Sequence, residues 1–152
     1  MEPSSPRPHA VAALALVDRS CAHVLLCDHT LFWQPPHTSV RTGQSCHLAV
    51  RDAARRWWGL RHVQIAGTVG IPWTQPPAPA DHCHTVDRRL LLVLLPPTTP
   101  RPRPGPGTRR MSWWSVEQLL AGEAATRPAE LAAFLDGYLQ GWLPDGQHGL
   151  AW

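Results

Sequence analysis

Residues 33–60 read WQPPHTSVRTGQSCHLAVRDAARRWWGL, and the fold turns on this stretch. Pro35 and Pro36 fix two φ angles and remove two backbone donors, so regular structure is not expected at that point. Gly43 supplies a turn. From Ser45 onward the spacing becomes helical: Leu48, Ala49, Ala53 and Trp57 recur at three and four residues. Ser45 is placed to cap the first turn, and Gly59 to end the helix in a left-handed conformation. The segment reads as loop, helix, loop.

Working outward, residues 11–17 form a nearly continuous apolar run, as expected of a strand buried on both faces. Asp18-Arg19-Ser20 reads as a turn into a second short run over residues 22–28. After the helix, residues 62–71 read as another strand. A proline-rich loop (74–79) then leads into a long strand over about residues 83–95. Residues 96–108, PPTTPRPRPGPGT, have no periodicity and read as an extended loop. Strand character returns over residues 110–114. Two helices follow, one from Ser115 to about Ala121 and one starting near Pro128. In the second, Leu131, Phe134, Leu135, Tyr138 and Leu139 make one apolar stripe. The organisation is one α/β (α+β) domain over residues 10–143, with a loose tail at 1–9 and another at 144–152.

The bulk numbers narrow the function classes. A chain of 152 residues suits one domain with a real core. Its formal net charge of +3 is scattered, which argues against nucleic acid as a partner. No leader-like apolar segment or bilayer-length apolar run is visible, so a soluble cytoplasmic protein without a membrane partner is expected. Lysine and asparagine are absent while arginine, alanine and proline abound, the mark of a GC-rich coding sequence such as that of a high-GC bacterium. The four cysteines form no CxxC pair and read as free, mostly buried thiols.

Laid from Thr38 to Leu60, the opening stretch resembles the Nudix box, G-x5-E-x7-R-E-U-x-E-E-x-G-U with U aliphatic. Trp33, Pro36, Gly43, Ser45, Ala49, Gly59 and Leu60 agree with its frame. Two further pieces match in order: His84-Thr-Val-Asp87 resembles the H-x-x-D strand of some branches, and residues 111–119 resemble the closing W-x-x-x-E-x-L element. The resemblance implies the Nudix fold, a mixed β-sheet sandwiched between α-helices. It also implies Mg²⁺-dependent cleavage of nucleoside diphosphates linked to another group. The charged positions contradict that activity. Gln44 stands for the loop glutamate and Asp52 for the arginine. The three helix glutamates become Ala53, Arg56 and Trp57. Mg²⁺ wants several carboxylate oxygens, and from His29 to Ala80 the sole acid is Asp52. Mg²⁺ is therefore not expected.

What remains is a cleft for a small molecule. Trp33, Trp57 or Trp58, and Trp73 are candidates for stacking on a flat ligand, and Arg55 and Arg56 for holding an anion directly. Gln44 and Asp52, at the lost box positions, complete the ligand-facing set. Asp52 alternatively pairs with Arg41, Arg55 or Arg56, and Trp57 alternatively fills the volume left by glutamates and metal. His37, which replaces a glycine at the loop entrance, and His84, oriented by Asp87, are candidates for acid–base work. Cys27, His29, His37, Cys46, His47, His82, Cys83 and His84 are chemically suited to Zn²⁺, though without a diagnostic spacing. The leading reading is a small-molecule binder or repurposed enzyme of specialised metabolism. The alternatives are a hydrolase with ligands relocated to Asp81, Asp87 or Glu117, and a protein-interaction scaffold. Apolar residues over 141–152 leave room for a homodimer.

Overall fold

The computed structural model describes residues 10–75, 88–103 and 110–152. Strand β1 (Ala10–Asp18) runs along the middle of the sheet, followed by β2 (His23–Asp28), β3 (Trp33–Gln34) and β4 (His37–Val40). Helix α1 (Cys46–Trp58) leads to β5 (Gln64–Pro72) and β6 (Arg88–Leu94). Then come β7 (Met111–Ser115), α2 (Val116–Leu120), α3 (Leu131–Gln140) and β8 (Gly146–Leu150). Among the described residues eight strands join one mixed sheet, with β3, β2, β1, β6, β5 and β8 as neighbours in that order.

Strand β1 is the axis of the arrangement. Along one edge it pairs in parallel with β6 over its whole length, from Val11↔Arg88 to Val17↔Leu94. Its other edge is shared: β4 pairs with residues Ala10 to Ala13, and β2 with Leu16 to Asp18. Between the two partners the sheet forks, and the Leu14 amide donates instead to the Pro36 carbonyl at 2.8 Å. The two prolines thus sit at the fork, where one carbonyl accepts and no donor is needed. The mouth of this fork becomes one wall of the candidate site.

The pleat sends alternate residues to opposite faces. Leu14, Leu16, Leu91 and Val93 pack with Ala49, Val50, Ala53 and Ala54 of α1 on one face. Ala13, Val17, Leu90, Leu92 and Leu94 pack with Val116, Leu119, Leu131 and Phe134 of α2 and α3 on the other. The sheet is therefore sandwiched between helices, as the sequence predicts.

Helix α1 carries both expected caps. Ser45 Oγ accepts the Leu48 amide at 3.3 Å, and Gly59 takes φ 67° while its amide reaches the Ala54 and Arg55 carbonyls. Its buried stripe differs from the expected one: Leu48 is 52% exposed and Trp57 38% exposed. Small side chains (Cys46, Ala49, Ala53 and Ala54) cover the sheet instead, which lets the helix backbone lie close to it.

Four further expectations are corrected. Residues 37–40, read as loop, form β4 because the open edge of β1 supplies their backbone partners. Helix α3 starts at Leu131 rather than near Pro128, which follows a cis peptide bond. Residues 146–150, read as part of a tail, form β8, paired in parallel with β5 from Thr68↔Gly146 to Pro72↔Leu150. Cys46, read as a free thiol, is disulfide-bonded, while Cys21 and Cys27 are not in disulfides.

Candidate functional site

A cleft of about 840 Å³ opens at the fork of the sheet. Val11, Cys27, Gln34 and His37 form its floor from the strands, and Arg56, Trp57 and Trp58 overhang it from the last turn of α1. Arg88, Met111, Arg127 and Trp152 close the other sides. A smaller lobe continues past Arg88, Arg127 and Trp152 to Pro72, Thr74 and Gln75.

Backbone bonds explain why distant residues converge here. The Arg127 amide donates to the Trp33 carbonyl at 3.0 Å, which pins the segment before α3 to β3. Glu130 Oε1 accepts the Ala151 amide at 2.6 Å, and the Ala129 amide donates to the Ala151 carbonyl at 3.0 Å. The Leu150 carbonyl accepts the Trp73 amide at 2.9 Å. Strand β8 is thereby tied to β5 and to the start of α3, and it delivers Trp152 to the cleft.

Side-chain charge in the cleft has one sign. Arg56, Arg88 and Arg127 line it, and no aspartate or glutamate does among the described residues. Arg127 lies over the Phe32 ring at 4.5 Å, a cation–π contact. Phe32 in turn stacks parallel to His29 at 5.4 Å, and His29 Nε2 contacts Gln34 Nε2. Trp57 meets Trp58 edge to face at 5.7 Å.

His37 feels this environment directly. Burial, then the Arg88 charge, then His29 push its imidazole down to about 4, against a weaker upward pull from its hydrogen bond to the Pro35 backbone. It is a neutral imidazole at pH 7, a hydrogen-bonding group rather than a cation.

Of the residues singled out in the sequence, His37, Arg56, Trp57 and Trp58 meet in the cleft, and Cys27 and His29, read there as possible Zn²⁺ ligands, line it too. Trp33 does not; it packs edge-on against Trp114 at 5.3 Å and joins the α2/α3 face of the core. Gln44 serves its own loop, with Oε1 accepting the Arg41 amide at 3.0 Å. Asp52 and Arg55 are exposed on α1 away from the lining, and Asp52 forms no ion pair with Arg41, Arg55 or Arg56. Trp73 is 71% exposed and contributes its backbone rather than its ring. His84 and Asp87 lie outside the described residues.

The sequence reading missed Phe32, Arg88, Arg127 and Trp152, and it placed His29 only among the candidate Zn²⁺ ligands. Arg88 was legible as the charged entry to the apolar run of residues 90–95. Arg127 and Trp152 carry no local signal, since only the folding of α3 and β8 brings them to the fork.

The fit of Mg²⁺ follows from this donor set. The ion needs several hard oxygen ligands. Here α1 presents a guanidinium and an indole, Ala53 is buried against the sheet, and Glu117 is exposed on α2 outside the lining. Among the described residues no three His, Cys, Asp or Glu side chains are grouped to hold a metal. The described residues do not fit a Mg²⁺ centre.

No family model matches the sequence, and no curated protein matches it by sequence. Solved structures do match it in three dimensions. A Nudix-family hydrolase from Clostridium perfringens superimposes with a TM-score of 0.59 at 14% identity, covering 89% of this chain and 98% of that one. A C. elegans Ap4A hydrolase gives 0.59 at 14% identity, covering 86% and 98%. The E. coli dihydroneopterin triphosphate pyrophosphohydrolase gives 0.57 at 10% identity, covering 88% and 97%. With the sheet, its fork and the capped helix of residues 46–58 all in place, the chain has the Nudix fold.

Proposed function

We propose that the protein binds a small organic anion bearing a flat ring, and that it does so without Mg²⁺-dependent diphosphate hydrolysis. The observation that carries this reading is the lining itself: Arg56, Arg88 and Arg127 with Trp57, Trp58 and Trp152, and no aspartate or glutamate among the described residues. Guanidinium forks bind phosphate or carboxylate directly, through paired hydrogen bonds that need no metal. The indoles offer faces for the ring. His37, neutral at pH 7, supplies a hydrogen bond on the floor. One protein of this fold is named for dihydroneopterin triphosphate, a phosphorylated ring compound, so such compounds belong among the ligands to test.

The test is thermal unfolding in EDTA with pyrophosphate, nucleoside diphosphates and aromatic carboxylates, repeated with Mg²⁺. Binding at a hundredfold excess over Kd stabilises by about 2.7 kcal/mol. A ring-bearing anion is expected to raise Tm in EDTA more than pyrophosphate does, with no added effect of Mg²⁺. Stabilisation only with Mg²⁺, or release of phosphate from any diphosphate, would overturn the proposal.

A further inference from the structure

A second cluster lies outside the cleft. Asp18 at the end of β1, Cys21 in the β1–β2 turn and His23 at the start of β2 meet Arg101 from the segment after β6. Cys21 is exposed. Its sulfur lies 2.7 Å from His23 Nδ1 and 2.5 Å from Arg101 Nη2. Arg101 Nη2 is also 3.0 Å from His23 Nδ1. Because a guanidinium only donates, Nδ1 faces it as an acceptor, with its lone pair toward both the guanidinium and the thiol.

The guanidinium is held in place from two sides. Its Nε donates to Asp18 Oδ2 at 2.9 Å, and its plane lies over the Trp113 ring at 4.7 Å. Asp18 hydrogen-bonds to Cys21 as well and so opposes negative charge on the sulfur, but it is also engaged by Ser20 and Arg101.

We propose that Cys21 is a reactive thiol that exchanges with low-molecular-weight disulfides, with His23 as proton acceptor and Arg101 as the cation facing the sulfur. The attacking species in such exchange is the thiolate, so a proton acceptor beside the sulfur is needed. In the step, the Cys21 proton passes to His23 Nδ1 and the sulfur attacks one sulfur of the disulfide. A new S–S bond forms as the old one breaks, and the departing thiolate recovers the proton from His23. One small thiol leaves for each mixed disulfide formed, so the disulfide itself is the oxidant. Among the described residues Cys27, also outside any disulfide, is buried, and Cys46 is already in a disulfide.

The test uses the purified full chain without reductant, treated at pH 7 with iodoacetamide or with oxidised glutathione, and followed by site-resolved mass spectrometry. Cys21 is expected to be alkylated about tenfold faster than free glutathione, an unstructured thiol, and to form the mixed disulfide. Arg101→Gln and His23→Gln are expected to slow it, and Arg101→Lys to restore much of the rate. Alkylation of wild-type Cys21 no faster than that of glutathione would overturn the proposal. So would rates unchanged in both the Arg101→Gln and His23→Gln proteins. The wild-type comparison needs no variant to fold.

Discussion

Protonating His37 is expected to unfold the protein in a predictable pH window. The imidazole sits at about 4 in the fold against 6.5 for the unfolded chain. Between those values the unfolded state binds more protons than the native state, so stability falls as pH drops from 6.5 toward 4 and is level above. Integrating the two titrations from pH 7.5 to pH 4.5 gives a loss of about 2.5 kcal/mol. Solvent access on the cleft side trims this to about 2 kcal/mol. Urea unfolding at pH 7.5, 5.5 and 4.5 reads it out, for wild type and His37→Gln, with the glutamine side chain keeping a hydrogen-bonding group in place. The variant is expected to lose about 2 kcal/mol of the pH dependence. Equal pH dependence in the two proteins would refute the reasoning, because the proton would then bind elsewhere.

Other perturbations follow from the same geometry. Arg88→Gln removes the second cause of the His37 shift, so NMR titration of that imidazole is expected to move up toward 6.5. The same change, or Arg127→Gln, is expected to weaken anion binding by about 1.5–3 kcal/mol, read by calorimetry, as a lost charge-assisted hydrogen bond. Trp152→Ala is expected to lower affinity for ring-bearing anions by about 1 kcal/mol while leaving pyrophosphate binding unchanged. Gly59→Ala leaves α1 with a strained cap: φ is +67° and an added Cβ meets nothing within 4 Å. The cost is backbone strain alone, about 1 kcal/mol in urea unfolding.

What the sequence disclosed was whatever is decided locally. The caps of α1 depend on Ser45, Leu48 and Gly59, all within one segment, and the buried strands β1 and β6 are continuous apolar runs. Strand β8, GQHGL, has no such run; the edge of β5 makes it a strand. An added Cβ at Gly149 would approach the Trp73 backbone to 3.2 Å, so the glycine permits that close approach. Of the α1 stripe that spacing predicts, Ala49 and Ala53 are buried and Leu48 and Trp57 are exposed. A helix lying close to a sheet buries alanines and leaves a tryptophan at its end facing the cleft. As a ligand cleft the candidate site was legible only where α1 and the loop entrance contribute to it, through His37, Arg56, Trp57 and Trp58. The rest depends on where Arg127 and Trp152 arrive after folding.

The charge pattern of the cleft separates holding an anion from cleaving one. A metal centre both neutralises a diphosphate and lowers the pKa of a bound water, and arginine can do the first but not the second. A general base could activate water without a metal, but it works best when its pKa lies near the operating pH. His37, an imidazole lining the cleft, is held at about 4 by burial and by the charges beside it. The arginines that equip the cleft for an anion therefore weaken its base. An anion bound beside them would offset the charges of Arg88 and His29 and raise the His37 pKa, so binding near pH 5 is expected to draw a proton from solution. Calorimetry at that pH in buffers of different ionisation enthalpy measures this uptake, and no uptake would place the anion away from His37.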